Sequence, residues 1–189
     1  MTKIDLARQF AHEAHDSIGQ KRKYSGEPYW VHTDAVAALM VEIGGSEDLV
    51  IAAHLHDVIE DVFPLKPRYC IEYITAQFGV PAAKLVIGAT DVFTKEAYPE
   101  LNRAQRKQNE RERVAAESAE LHTLKLGDFI HNTASIVEHD KDFAVVYLRE
   151  KLAMLPVLSD GNPVLLQRAS MQTIAACSAL GIKIPLIGA

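Results

Sequence analysis

The sequence predicts an all-α protein of a single domain, and three observations carry that reading. Apolar residues recur at intervals of three and four through nearly every segment. No pair of alternating apolar and polar runs flanks a two-residue turn of the hairpin type. No repeat, low-complexity tract or linker rich in Pro, Gly or Ser divides the 189 residues, a length that suits one domain. The expected domain is 1–189, with a core over about 4–158 and a C-terminal helix over about 163–180.

Leu6, Phe10, Ala14 and Ile18 mark one face of a first helix that Gly19 can end. A basic, turn-rich loop follows, from Lys21 to Pro28. The spacing predicts a second helix over Val31 to Ile43, stopped by Gly44-Gly45. Ser46 suits the N-cap of a third, with Glu47 and Asp48 in its first turn to meet the helix dipole. Pro64 and Pro67 break the next connection, Tyr69 to Phe78 reads as helical, and Gly79 ends it. Pro81 can open a further helix running to about Val92. Arg103 to Glu120 is highly charged and reads as a solvent-facing helix. Leu121 to Val137, Phe143 to Leu158 and Pro163 to Leu180 complete the set.

A hydrophobic fraction of 48% and a charged fraction of 24% are those of an ordinary globular protein. A net charge of -5 argues against bulk nucleic-acid binding, but leaves room for a local basic pocket that takes a phosphorylated small molecule. Cys70 and Cys177 have no metal-like spacing and read as reduced thiols. The first residues do not form a signal peptide, and no apolar run reaches membrane-spanning length. A cytoplasmic protein without a membrane or nucleic-acid partner is expected.

The chemistry concentrates in His56-Asp57-Val58-Ile59-Glu60-Asp61, at the end of the apolar run Leu49 to Leu55. On a continuous α-helix, residues four apart lie roughly 40° from each other, so His56 would share a side with Glu60 and Asp57 with Asp61. Carboxylates crowded this way raise each other's pKa unless a cation sits among them, and a divalent metal is the simplest cation. His32 and Asp128 extend the set to two imidazoles and two carboxylates from three helices. Alone, each would pass for a packed histidine or a solvated aspartate. His54 points about 200° away from His56 and is expected in the core or behind the ligands. His12 and His15 read as packing or surface groups, and Arg103, Arg106, Lys107, Arg111 and Arg113 as a solvated face.

In order, these motifs resemble those of the HD-domain metal-dependent phosphohydrolases, and within them the RelA/SpoT-type small alarmone hydrolases. Ala11-His12 and His15 precede Gly19-Gln20-Lys21-Arg22-Lys23-Tyr24-Ser25-Gly26-Glu27-Pro28-Tyr29 and then His32. His56 to Asp61 is similar to the family's HDxxED signature, and Lys125-Leu126-Gly127-Asp128 with His131-Asn132 to its KLADxxHN segment. The resemblance implies His32, His56, Asp57 and Asp128 as ligands of one divalent ion, typically Mn²⁺ with Fe²⁺ as an alternative. It implies Glu60 and Asp61 as the pair that handles the catalytic water. Arg22, Lys23, Asn132 and Tyr147 are implied in substrate binding. Two departures stand out: Gly127 where the family has Ala, and Thr133-Ala134 where it often has a Leu/Met-Arg pair.

The activity so implied is removal of the 3′-pyrophosphate from a nucleotide alarmone, (p)ppGpp or (p)ppApp, by a stand-alone hydrolase. Two other readings stay open. One is an HD phosphohydrolase acting on another nucleotide, such as NADPH or a deoxynucleotide. The other is a non-catalytic metal-binding regulatory or antitoxin module.

Overall fold

Thr2 opens the first helix with a reciprocal cap. Its hydroxyl accepts the Asp5 N–H, while the Asp5 carboxylate accepts the Thr2 N–H at 2.8 Å. The helix, α1, runs Lys3–Ser17 in a computed structural model that describes residues 1–184. The basic loop then folds back on itself. Lys21 and Pro28 form an isolated antiparallel bridge, and the Arg22 N–H donates to the Glu27 carbonyl at 2.8 Å. α2 (Trp30–Glu42) follows, and α3 (Glu47–Leu55) begins at Ser46, whose hydroxyl accepts the Leu49 N–H.

Every residue of α3 from Leu49 to Leu55 is buried. The helix is wrapped by α1, α2 and α5 (Val80–Ala89), which explains why it is apolar all round and not striped. Burying each large aliphatic side chain contributes about 1.5–3 kcal/mol, so α3 is a fixed post on which polar groups can be mounted. α4 (Ile71–Phe78) joins α5 through Gly79, whose φ of +98° suits glycine alone.

The expected helices 69–78, 103–120 and 143–158 are shorter or broken, with α-helix over Ile71–Phe78, Arg103–Ala115 and Lys141–Met154, and two further departures bear on the site. The α-helix stops at Leu55 and gives way to a π-helical turn over Val58–Val62, closed by the Phe63 N–H on the Val58 carbonyl at 3.0 Å. α5 ends at Ala89, short of Val92, because the Asp91 N–H donates to the Glu60 carboxylate and not to a helical carbonyl.

The chain divides into two compact units, Met1–Arg106 and Lys107 onward. α6 (Arg103–Ala115) straddles that boundary in sequence. It is charged outside, yet its Glu110 is buried and paired with Arg113. Within the second unit, α7 (Ala119–His139), α8 (Lys141–Met154) and α9 (Pro163–Ala179) pack around Leu121, Leu124, Phe129, Leu148, Leu158 and Leu165. Gly161 permits a close approach there, since a Cβ would lie 2.8 Å from Leu126 Cδ1 and 3.1 Å from the His122 carbonyl carbon. Asn162 then caps α9 through its side-chain oxygen. The described residues contain nine α-helices and no β-strand, and none of the helices is long and apolar enough to cross a membrane.

Candidate metal centre

His32 lies in the first turn of α2 and His56 directly after α3, and both rings are buried. The His56 Nδ1–H donates to the Ala53 carbonyl at 2.8 Å, which fixes the tautomer and presents Nε2 as a lone-pair donor. Asp57 stands opposite. Its Oδ2 is 3.2 Å from His56 Nε2 and 3.5 Å from His32 Nε2. One ligand atom from each of the three residues lies within 4.8 Å of the other two. Coordination bonds of about 2.0–2.2 Å leave neighbouring ligands a little over 3 Å apart, so the spacing suits a metal ion. Two imidazoles and a carboxylate, without thiolate, suit a hard or borderline divalent ion such as Mn²⁺ or Fe²⁺. The Tyr29 hydroxyl donates at 2.7 Å to Asp57 Oδ2, the same oxygen that faces the two imidazoles, and so orients the carboxylate.

Glu60 and Asp61 leave the π-turn toward different partners. Glu60 Oε2 accepts the Asp91 N–H at 3.0 Å, and Asp61 Oδ2 accepts from Gln20 Nε2 at 2.8 Å. Burial pushes the Glu60 carboxyl up to about 7, against the Asp91 hydrogen bond and with help from the charges of Asp57, Asp91 and Asp61. Asp61 is pushed up to about 6, again by burial first and by Asp57 second. Crowding, the cause expected from the sequence, is therefore real but secondary to desolvation. A cation would relieve both effects.

Of the other expected site residues in the first unit, Arg22 holds its guanidinium 5.7 Å from the Tyr29 ring centre. Lys23 is exposed and contacts the Tyr24 hydroxyl at 3.2 Å. Within the second unit, Asp128 and Asn132 lie one turn apart on α7, and Asn132 Nδ2 donates to Asp128 Oδ1 at 2.7 Å. Tyr147 is buried, its hydroxyl 3.3 Å from that of Thr133 and its ring stacked near Phe129, with the Lys151 ammonium 5.0 Å from its centre. Its surroundings are those of a core tyrosine. Thr133, the first of the two positions where this chain departs from the family's Leu/Met-Arg pair, is likewise buried.

Three residues near the centre had no role assigned from sequence: His15, Gln20 and Tyr29. His15, read from the sequence as a packing or surface group, is wholly buried, and its Nδ1 is 2.6 Å from Gln20 Oε1. The signal for all three was their place in the motif leading to His32. His54 is not part of the His32, His56 and Asp57 set; its Nδ1 lies 3.2 Å from Asp34 Oδ1.

A family model described as HD domain matches residues 7–153. The chain is 36% identical over 124 residues to a probable guanosine-3′,5′-bis(diphosphate) 3′-pyrophosphohydrolase of Synechocystis sp., covering 65% of this chain and 16% of that protein. It is 33% identical over 135 residues to the guanosine-3′,5′-bis(diphosphate) 3′-pyrophosphohydrolase of Aquifex aeolicus, covering 70% and 18%. The chain thus spans less than a fifth of the length of these relatives, at 16% and 18%. In fold it is similar to a solved structure described as a metazoan ortholog of SpoT that hydrolyzes ppGpp, with a TM-score of 0.77 at 21% identity over 97% of this chain and 98% of that one. On its helical architecture, its ordered motifs and a family match over most of its length, the chain belongs to the HD-domain family.

Proposed function

We propose that this chain is a divalent-metal-dependent pyrophosphohydrolase that removes the 3′-pyrophosphate of a nucleotide alarmone, (p)ppGpp or (p)ppApp. The observation that carries the reading is the closed set His32, His56 and Asp57 with two buried carboxylates, Glu60 and Asp61, alongside it. The names of the Synechocystis and Aquifex relatives supply the substrate class. Asp128 joins the set as fourth ligand on its sequence motif, Mn²⁺ is the expected ion with Fe²⁺ as alternative, and residues 1–189 act as one hydrolase domain in the cytoplasm.

When bound, the ion supplies Lewis acidity and lowers the pKa of a coordinated water. The chain does the rest. His56 and Asp57 hold their donor atoms still through Ala53 and Tyr29. Glu60 and Asp61, buried carboxylates beside the set, can accept a proton from the attacking water and return one to the leaving oxygen. Arg22, whose planar guanidinium both stacks and forks, takes the purine or a phosphate, and Lys23 offers a point charge. Asn132, as a hydrogen-bond partner for ribose or phosphate, and Tyr147, as a nucleotide-packing ring, are assigned on their sequence motifs.

The test is pyrophosphate release from ppGpp and ppApp, side by side, with Mn²⁺ or with EDTA, for wild type and Asp57→Asn. Release that needs Mn²⁺ and vanishes in the variant is expected, and the better substrate names the base. Mn²⁺ binding without release from either alarmone would redirect the search to NADPH and deoxynucleotides. No Mn²⁺ binding at all would sink the metalloenzyme.

A further inference from the structure

We propose that Gln20 is a positioning residue for Asp61, with buried His15 as the group that locks its amide in one orientation; the inference rests on the hydrolytic reading above. A glutamine amide presents an acceptor on one side and donors on the other, and little in the side chain itself prefers either orientation. Here both ends are engaged. Oε1 lies 2.6 Å from His15 Nδ1, and Nε2 lies 2.8 Å from Asp61 Oδ2. With Asp61 as a carboxylate only one arrangement satisfies both contacts: His15 donates from Nδ1–H to Oε1, and the amide NH₂ donates to Asp61. The flipped amide would set oxygen against oxygen.

His15 is suited to the task. It is wholly buried and its Nε2 has no hydrogen-bond partner, so a charged ring would be stranded there. Burial accordingly holds its pKa below the ordinary histidine value, with the Gln20 bond and the Asp57 charge working the other way. A neutral imidazole has one N–H, and the contact with Gln20 places it on Nδ1. The Gln20 backbone is pinned as well: its N–H donates to the His15 carbonyl at 3.1 Å, and its carbonyl accepts the Tyr29 N–H at 3.1 Å. The same residue therefore ties the end of α1 to the start of α2 and fixes one oxygen of Asp61, which comes from a π-turn and not from a rigid helix.

The experiment compares wild type with Gln20→Met, which keeps length and backbone bonds but removes the amide, with His15→Phe, and with the double variant. For each, kcat and KM for pyrophosphate release, Mn²⁺ affinity and Tm are measured. Positioning predicts that Gln20→Met lowers kcat about 10- to 100-fold while KM and Mn²⁺ affinity hold and Tm falls no further than in His15→Phe. The double variant should be no worse than the worse single one, because both break one chain of contacts. Wild-type kcat in Gln20→Met, or a loss matched by equal losses in Mn²⁺ affinity and Tm, overturns the proposal. A second readout does not need activity. In ¹⁵N-labelled metal-free protein, His15 should show a protonated, slowly exchanging Nδ1 that is lost in Gln20→Met; its absence from wild type overturns the proposal. If wild type binds Mn²⁺ and releases no pyrophosphate, the function fails, and the tautomer decides the contact chain by itself.

Discussion

Two histidine–carboxylate clusters, one around Asp34 and one around Asp57, are built from the same residue types and satisfied in different ways. Around Asp34, Arg8 donates from Nε at 3.0 Å and from a terminal nitrogen at 2.8 Å, His12 Nε2 lies 3.1 Å away and His54 Nδ1 3.2 Å away. Burial alone would raise the Asp34 carboxyl, but the hydrogen bonds from Arg8 and His12 overcome it and hold the group below its ordinary value. The charge of Asp34 is answered within the fold. Asp57 instead meets a phenol and two imidazole nitrogens, and its acidic neighbours Glu60 and Asp61 are pushed toward neutrality. The first arrangement closes a helix interface, whereas the second leaves negative charge that a cation would balance. Residue type does not separate a structural cluster from a metal centre; the way the charge is balanced does.

Substituting the two aspartates is the sharpest way to break that contrast. Asp57→Asn should abolish Mn²⁺ binding and the Mn²⁺-induced rise in stability, which for wild type is about 2.7 kcal/mol at an ion concentration 100 times Kd. Thermal melts with and without the ion measure it. Asp34→Asn should leave Mn²⁺ affinity intact and lower stability by about 1–3 kcal/mol, because buried His54 loses its charged partner. Equal loss of metal binding in both variants would erase the distinction.

The pH dependence of the metal-free protein separates the clusters again. Burial depresses His54 from 6.5 to about 4, so the unfolded chain binds more protons at this group in that window and its contribution to stability falls as pH drops from 6.5 toward 4. Glu60 and Asp61 are raised from 4.5 and 3.8 to about 7 and 6, so the folded chain binds more protons there, and their contribution is lost as pH rises through 6 to 7. Between about pH 4.5 and 6 the two linkages oppose and the two carboxylates outweigh the one histidine, so chemical denaturation should show stability falling as pH rises from about 4.5 to 7. His54→Phe should steepen that fall below pH 6.5, and Mn²⁺ should diminish it. The smallest effect expected is that of Ser46→Ala, a loss of about 1 kcal/mol from the α3 cap, without change in metal affinity.

Much of this was legible in the sequence, for reasons that differ by residue. Ser46 as a cap, the glycine stops and the apolar run of α3 are local signals, and each stands where expected. Asp128 and Asn132 bond one turn apart because α7 continues unbroken through both. The same helical spacing misleads at His56 to Asp61, where the helix has ended and Glu60 and Asp61 turn to Asp91 and Gln20. Those partners lie 31 and 41 residues away, and no local pattern announces them. His15 was hidden for a related reason. Its helix is amphipathic, and whether a histidine near the edge of the apolar face is packed or wet depends on what lies against it.

The π-turn also changes what kind of variation the centre can absorb. A π-turn holds one more residue than an α-turn in the same rise, so the placement of Glu60 and Asp61 is encoded by chain length as much as by residue identity. Val58 and Val62, both buried, can be exchanged for other aliphatic residues with modest loss. Deleting Ile59 would let α3 run on as a regular helix and move the acidic pair out of phase with His56. The fold would be kept and the chemistry lost by a change of length at a position that carries no functional group.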